Sequence, residues 1–381
     1  MPPSIPATLR AQALGLLASG AATSRSDLVD ALQVAPSTVT AVVRRLLEEG
    51  VLLEEGVGRS TGGRRPRILR LRDTDGVYAV AELGGRHARA GLYQAGGVLR
   101  GVEEVPIDIA DGPAAVFRTF ASLVAGEPLL GVGVALPGPV EFPSGRVVGP
   151  ARMPGWSGVD PAEHLSVAFD RFDGPMLVDN DAKAAAIGEY VTRGYDTDDM
   201  IYVKAGTGIG ACLVTGGRIF RGGGGLSGDV THVRVADSGE RQCSCGSRGC
   251  LETVASGAAL TRQLGSASVG SPGLGSPGLG ELIVAVHDGD PAVVAAVREA
   301  GRLLGVALSG LVNFLNPDAV VIGGALSSLG VYVAAAKGVL YERCLPSLTG
   351  SLTIEASTAG PDAALTGLGH LLRSSADVRP S

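Results

Sequence analysis

No stretch of this 381-residue chain approaches the run of about 20 apolar residues that crossing a bilayer requires, so a membrane-spanning helix is excluded. A basic stretch followed by an apolar core is also missing from the N-terminus, so no secretory signal is expected and a cytoplasmic location follows. Cysteine is sparse, at five residues, and in a reducing compartment these are thiols rather than a disulfide framework. Lysine is nearly absent, occurring only at 183, 204 and 337, so arginine carries almost all the positive charge. That bias says more about gene base composition than about chemistry.

Glycine, in contrast, is abundant at 58 residues, and 45% of the chain is hydrophobic with a mean hydropathy of +0.27. This is ample for sizeable cores, and the length suggests two or three domains. Charge is unevenly placed. Residues 1–72 carry ten arginines against six acids, a net +4, while the remainder has 22 basic and 32 acidic residues, a net −10. A basic head on an acidic body points to a separate nucleic-acid-binding module.

Within residues 1–72, apolar spacing predicts a helix over Ala7–Ala18, ended by Ser19 and Gly20. A short second helix follows, capped by Thr23 or Ser24 and burying Leu28, Ala31 and Leu32. After a brief link, Pro36 opens a third helix that Gly50 closes. Its Val39, Val43 and Leu46 face inward, leaving a polar row of Ser37, Thr38, Thr40, Ala41, Arg44 and Arg45. Two helices joined tightly, the second bearing small polar groups and arginine, describe a helix-turn-helix whose small side chains can meet base edges in a major groove. Val51–Glu55 and Ile68–Leu71 read as two strands around the glycine- and arginine-rich segment 56–67, a winged hairpin offering Arg59, Arg64, Arg65 and Arg67 to phosphates or a minor groove. A small protein-docking domain is the alternative, but it does not explain why outward charge concentrates on the third helix and the wing.

A polar link at Asp73, Thr74, Asp75 and Gly76 leads into the body. There the pattern of three hairpin-joined strands followed by helix and strand units occurs twice, an α/β design with two lobes and a cleft. Predicted elements include helices at Pro113–Ala125, Asp181–Arg193 and Pro291–Val312, and strands at 129–136, Met176–Val178, Met200–Val203, Gly210–Thr215 and Asp318–Ile322. The segment Gly265–Gly280 repeats Gly-Ser-Pro-Gly-Leu and is expected to be a surface loop without chemistry.

Three motifs carry chemistry. Cys243, Cys245 and Cys250 form C-x-C-x4-C, with His232 upstream. Three thiolates and an imidazole make a closed tetrahedral zinc set, and a metal would shape the polar stretch Asp237–Gly249, which has little apolar content to pack. Three unligated surface thiols are the blander alternative. Secondly, Val178-Asp179-Asn180-Asp181 ends a strand and opens a helix, where ligands of open α/β sheets bind. Asp181 is placed to act as a general base on a sugar hydroxyl and Asn180 to hydrogen-bond another, although both residues also serve as helix caps. Thirdly, the glycine turn Gly206-Thr207-Gly208-Ile209-Gly210 offers backbone N–H groups to a phosphate, with Gly323 and Gly324 available beside an adenosine, yet alone it is also an ordinary hairpin.

Together, the C-x-C-G-x-x-G-C-x-E string from Cys243 to Glu252, the upstream histidine, the Asn180–Asp181 pair and the N-terminal helix-turn-helix resemble the ROK family of bacterial repressors and sugar kinases. The resemblance implies a winged helix-turn-helix followed by a two-lobed actin-like ATPase/hexokinase fold of the ribonuclease H-like kind. The domains then fall at residues 1–72, 73–188 and 189–361, with a C-terminal helix at about 362–375 returning to the first lobe. It also implies that Gly138, Asn180, Asp181, His232 and Glu252 match sugar-contacting positions, that Asp181 matches the catalytic base, and that His232 serves metal and sugar through its two ring nitrogens.

Two departures shape the expected function. Kinase members carry Asp-x-Gly-Gly-Thr-Lys after the first strand, whereas this chain has Glu82-Leu83-Gly84-Gly85-Arg86-His87, which should impair Mg-ATP placement. The usual Ala-Gly-Glu-x-Gly-His is here Ser227-Gly228-Asp229-Val230-Thr231-His232, which shortens a sugar-contacting carboxylate to Asp229 and puts Thr231 where a permissive backbone is expected. The expectation is a homodimeric, zinc-containing, sugar- or sugar-phosphate-responsive repressor of operator DNA without catalytic activity. The competing readings are an ATP-dependent sugar kinase with an appended DNA-binding head, and a DNA-binding protein whose cleft no longer takes a ligand.

Overall fold

The computed structural model describes residues 7–18, 21–48, 52–57, 67–71, 76–150, 152–194, 197–235, 239–267 and 278–376. The chain begins with α1 (Ala7–Ala18), α2 (Arg25–Leu32) and α3 (Pro36–Glu48), then the antiparallel pair β1 (Leu52–Val57) and β2 (Arg67–Leu71). Side-chain caps start α2: Asp27 N–H donates to Ser24 Oγ at 3.3 Å, and Thr23 N–H donates to Asp27 Oδ2 at 2.8 Å. Gln33 ends that helix in the left-handed region, φ 51°. Val39, Val42, Val43 and Leu46 of α3 pack on Ala13, Leu14, Leu28, Leu52 and Leu69. Ala31, expected in this core, is exposed, and Leu32 is half-buried. Ser19, Gly20, Gly50, the hairpin turn and Asp73 to Asp75 lie outside the described residues, as does most of Gly265–Gly280.

The body holds β3 (Val77–Leu83), β4 (His87–Gln94), β5 (Leu99–Pro106), α4 (Pro113–Leu123), β6 (Leu129–Leu136), α5 (Pro161–Ala168), β7 (Met176–Asn180) and α6 (Asp181–Thr192). It continues with β8 (Asp199–Ala205), β9 (Ile209–Thr215), β10 (Arg218–Ile219), α7 (Glu252–Ala255), α8 (Gly257–Ala267), α9 (Leu279–His287), α10 (Pro291–Leu315) and β11 (Ala319–Gly323). The last elements are α11 (Gly330–Arg343), α12 (Pro346–Thr349), β12 (Thr353–Ala356) and α13 (Ala363–Ala376). Two five-stranded sheets result, ordered β5-β4-β3-β6-β7 and β10-β9-β8-β11-β12. In each, the first three strands in sequence pair antiparallel and the last two join in parallel.

Strand parity decides which residues meet between the sheets, because successive side chains point to opposite faces. On β3, Ala79 and Ala81 join the outer core with Phe117, Phe120 and Trp156, while Tyr78 and Val80 join the inner one. On β8, Ile201 and Val203 pack outward with Leu304 and Leu308 of α10, while Met200 and Tyr202 pack inward. The inner core is shared by both sheets and filled by α6 and α13. These two helices lie so close that a Cβ on Gly188 would meet Ala363 O at 1.8 Å, and one on Gly367 would meet Ala184 O at 1.9 Å. Residue 188, expected to close the first lobe, therefore lies inside α6, a helix in contact with strands of both sheets.

Candidate ligand cleft and metal-ligand cluster

The same parity turns Glu82 and Lys204 inward. Glu82 follows Tyr78 and Val80 on β3, and Lys204 follows Met200 and Tyr202 on β8. Lys204 Nζ donates to Glu82 Oε1 and, at 2.5 Å, to Asp181 Oδ2. Burial would lower the Lys204 pKa, but the Asp181 and Glu82 carboxylates outweigh it and hold the ammonium above its ordinary range. Sequence reasoning missed this residue, although its rarity was a signal: two of the three lysines in the chain have their ammonium bonded inside the protein. The other is Lys183, whose Nζ donates to Gly225 O and whose pKa is lowered by burial.

Asn180 is the N-cap of α6, with Oδ1 accepting from Ala182 N at 3.0 Å and Lys183 N at 3.2 Å. Its Nδ2 donates to Gly138 O at 3.1 Å and Asp181 Oδ1 at 3.2 Å, so the capping role coexists with a bond that brings Asn180 to Gly138. Glu252 is buried, accepts from Ile209 N at 3.4 Å and is ion-paired with Arg152, whose Nη1 also donates to Thr207 O at 3.4 Å. Burial raises the Glu252 pKa against the opposing pull of Arg152. Arg152 lies between β6 and β7, whereas Thr207 and Glu252 belong to the half containing β8. Nothing in the sequence singled this arginine out. Asp229 is exposed. Thr231 sits in a 3-10 turn outside the left-handed region and its hydroxyl bonds Ile209 O, so this position needs no permissive backbone here.

The β3–β4 turn is a closed hairpin, with Gly84 N–H donating to His87 O at 2.7 Å. The His87 ring covers Gly84, where an added Cβ would fall 2.5 Å from Cε1. In the second glycine turn, Gly257 and Ala258 at the start of α8 donate to the carbonyls of Gly206 and Thr207 at 2.8 and 3.0 Å. Those first α8 amides are thereby committed within the protein.

His232, Cys243, Cys245 and Cys250 converge, their ligand atoms all within 4.8 Å of one another. Cys243 Sγ is 3.5 Å from His232 Nδ1, and Cys245 Sγ is 3.8 Å from Cys250 Sγ. A tetrahedral ion with bonds of about 2.3 Å to sulfur needs sulfur–sulfur edges of about 3.8 Å, so the donor set fits such a metal. The knuckle is made of turns, with Cys243 N–H to Ser247 O at 2.8 Å and Gly246 N–H to Cys243 O at 3.0 Å. The Ser247 backbone N–H lowers the Cys245 pKa, while burial and the two neighbouring sulfurs push Cys250 up to about 12. Three thiolates gather comfortably at one point only around a cation. Residues 236–238 of this loop lie outside the described residues.

In the N-terminal module, Ser37, Thr40, Arg44 and Arg45 are exposed along α3, with Thr38 and Ala41 half-buried beside them. Arg67 pairs with Glu54 at 3.0 Å, and Glu54, which also binds Arg25, is held below its usual pKa chiefly by the Arg25 hydrogen bond. Arg59, Arg64 and Arg65 lie outside the described residues.

The ROK family model matches residues 78–375. The xylose repressor of Caldicellulosiruptor bescii is 28% identical over 353 residues, covering 88% of this chain and 87% of that protein. Among solved structures, a ROK family glucokinase from Streptomyces griseus in complex with glucose and AMPPNP has a TM-score of 0.70 at 26% identity, and 78% of this chain spans 100% of it. A ROK family transcriptional regulator described as a homolog of the E. coli MLC protein has a TM-score of 0.68 at 24% identity, spanning 97% of this chain and 100% of that one, a likeness of fold. The repeated sheet plan, the knuckle of one histidine and three cysteines, and a match over residues 78–375 lead to one assignment: the chain belongs to the ROK family.

Proposed function

We propose that this protein is a DNA-binding transcriptional repressor whose ROK body senses a sugar or sugar phosphate and alters operator binding. One observation carries the reading. The whole of a ROK glucokinase is accounted for by 78% of this chain, and the family match begins only at residue 78, after α1–α3 and the β1–β2 hairpin, with arginine and hydroxyl groups exposed along α3. A kinase has no use for that surface, whereas it suits a reading helix, with Ser37, Thr38, Thr40 and Ala41 toward bases and Arg44, Arg45, Arg59, Arg64, Arg65 and Arg67 toward phosphates. The xylose repressor of Caldicellulosiruptor bescii, alike over 88% of the chain, supports the same reading.

On this reading residues 1–72 form the DNA head, 73–188 with the final helix one lobe, and 189–361 the other. The sensor is the cleft lined by Gly138, Asn180, Asp181, Asp229, His232 and Glu252. A structural zinc, one per chain, is held by His232, Cys243, Cys245 and Cys250. With His232 Nδ1 toward the metal, Nε2 carries the proton and is the nitrogen left to donate to a sugar hydroxyl. The protein works as a homodimer on a palindromic site, since a two-fold pair of heads reads two half-sites. Coupling between ligand and operator would be about 1–3 kcal/mol, the usual range between linked sites.

The rival is a sugar kinase, favoured by the retained Asp181. Against it stand the Lys204 ammonium bonded to that carboxylate and the His87 ring over the β3–β4 turn. The experiment is a gel shift on DNA upstream of the gene, repeated with a panel of sugars and sugar phosphates, alongside a coupled ATP assay. Retardation that a sugar relieves or strengthens, without turnover, is the expected result. ATP-dependent phosphorylation at ordinary kinase rates, or failure to retard any duplex, refutes the reading.

A further inference from the structure

Lys204 stands between two carboxylates. It lies on β8 of the second sheet, in register with Gly210 on β9 and Gly323 on β11. Its two acceptors come from the other half of the body: Glu82 at the end of β3, and Asp181 at the first turn of α6, immediately after β7. The three side chains are largely removed from water, with 22% of Lys204, 10% of Glu82 and 16% of Asp181 exposed. Two carboxylates of one lobe therefore meet at a point to which the other lobe contributes a single ammonium.

Two carboxylates that meet at one sheltered point repel each other unless a cation lies between them, and here both bond the same ammonium. Oxygen ligands converging from the ends of strands are also how phosphotransfer sites hold Mg2+ against a nucleotide. The ammonium satisfies the first requirement and defeats the second, because a divalent ion entering the same gap would meet a fixed positive charge among its ligands. The group is tethered, so unlike a free ion it cannot exchange, and its stem ties the second lobe to the first.

We propose that Lys204 is a built-in cation taking the place of a divalent metal between Glu82 and Asp181, and that it makes the cleft selective against metal-bound nucleotide. This rests on the reading of the cleft as a ligand site without phosphoryl transfer. Lys204 is thus a specificity residue: with it in place, the rest of the cleft is left to a ligand that brings no metal.

The test is a Mn2+ titration of zinc-loaded full-length protein, with and without ATP, followed by the EPR signal of free Mn2+. Wild type, Glu82→Gln, Lys204→Met and the double variant Lys204→Met/Glu82→Gln are compared, each against protein-free solution of the same ATP and Mn2+ content. Wild type should leave the signal unchanged. Lys204→Met should immobilise one Mn2+ per chain, at least about tenfold more tightly than the double variant, and gain thermal stability from it. Wild type that immobilises Mn2+, with loss of that binding in Glu82→Gln, overturns the assignment. So does a Lys204→Met chain that Mn2+ neither binds nor stabilises, including one that stays unfolded in Mn2+ while the double variant folds. Operator retardation by the same wild-type preparation tests the underlying reading separately: its failure would remove the repressor and leave the Mn2+ result standing, whereas sugar phosphorylation by wild type would sink both.

Discussion

Glu189 offers the sharpest quantitative test of how the two halves are joined. The backbone passes between the sheets twice, along α6 into β8 and from β12 into α13, and Glu189 on α6 fastens one crossing to the other. Its carboxylate, fully buried, accepts from Ser357 Oγ at 2.5 Å, Thr358 N at 3.1 Å, Thr358 Oγ1 at 2.9 Å and Ala359 N at 2.9 Å. In Glu189→Ala the two hydroxyls can rotate to other acceptors, but the two backbone N–H groups cannot. Each orphaned donor costs about 1–3 kcal/mol, and bonds to a charged acceptor lie at the upper end, so the expected destabilisation is about 3–5 kcal/mol. Glu189→Gln keeps the shape and one carbonyl but turns an amide N–H toward a backbone N–H, for about 2–3 kcal/mol. Denaturant unfolding followed by circular dichroism should rank wild type above Gln above Ala. A Gln variant within about 0.5 kcal/mol of wild type would refute the claim that this carboxylate pins the crossings.

Other outcomes follow from the same geometry. Purified protein should hold one zinc per chain by elemental analysis, and Cys245→Ser should lose it and its thermal stability together, since binding at such a site is also folding free energy; metal-free wild type of full stability would refute this. Arg152→Gln should free Glu252 for sugar hydroxyls and tighten ligand binding about threefold to tenfold by calorimetry, a part-exposed ion pair being worth little more; unchanged affinity would mean that Arg152 does not compete. Arg44→Ala should reduce the log–log salt slope of DNA binding by about 0.9, the value of one phosphate left without its cation, and an unaltered slope would take Arg44 off the phosphates. His370 is half-buried with its Nδ1 away from solvent, and burial, with Arg373 nearby, pushes its pKa down to about 3. The unfolded chain therefore takes up this proton first, so the stability contribution is full above about pH 6.5 and falls toward pH 3 by up to about 1.4 kcal/mol per unit. The stability gap between His370→Gln and wild type should accordingly shift in favour of the variant from pH 7 to pH 5, and a constant gap would exclude the effect.

Much of the architecture was legible because local rules were obeyed. Pro36 at the start of α3, the period of Val39, Val43 and Leu46, and the short apolar runs of β3 and β8 each state their element in a few residues. Elements whose signal depends on partners were not foreseen. The two-residue β10 and the four-residue β12 are strands only by virtue of neighbours, and α5, α11 and α12 carry no exceptional period. Ala31 failed for a related reason: apolar character on a short helix does not say which side the core will occupy.

The candidate site divides in the same way. The thiol trio is close in sequence, so its spacing exposed it, and the structure brings His232 to the sulfurs; Asn180–Asp181 is weak by itself and takes its reading from the family resemblance. Lys204, Arg152 and Glu82 act through partners between 23 and 122 residues away in sequence, or across the cleft, and no window of sequence contains such a pair.

By itself, then, the sequence determined most of the longer elements, the repeated sheet plan and the candidate donor set of the knuckle, because these follow from periodicity and from donors close along the chain. Only the tertiary structure decided which charges the cleft would hold in balance, that Lys204 neutralises Asp181 and Glu82, and that Arg152 occupies Glu252. The physical reason is that burial makes an ion pair compulsory, while the choice of partner depends on which strand faces arrive opposite each other when two sheets close on α6 and α13.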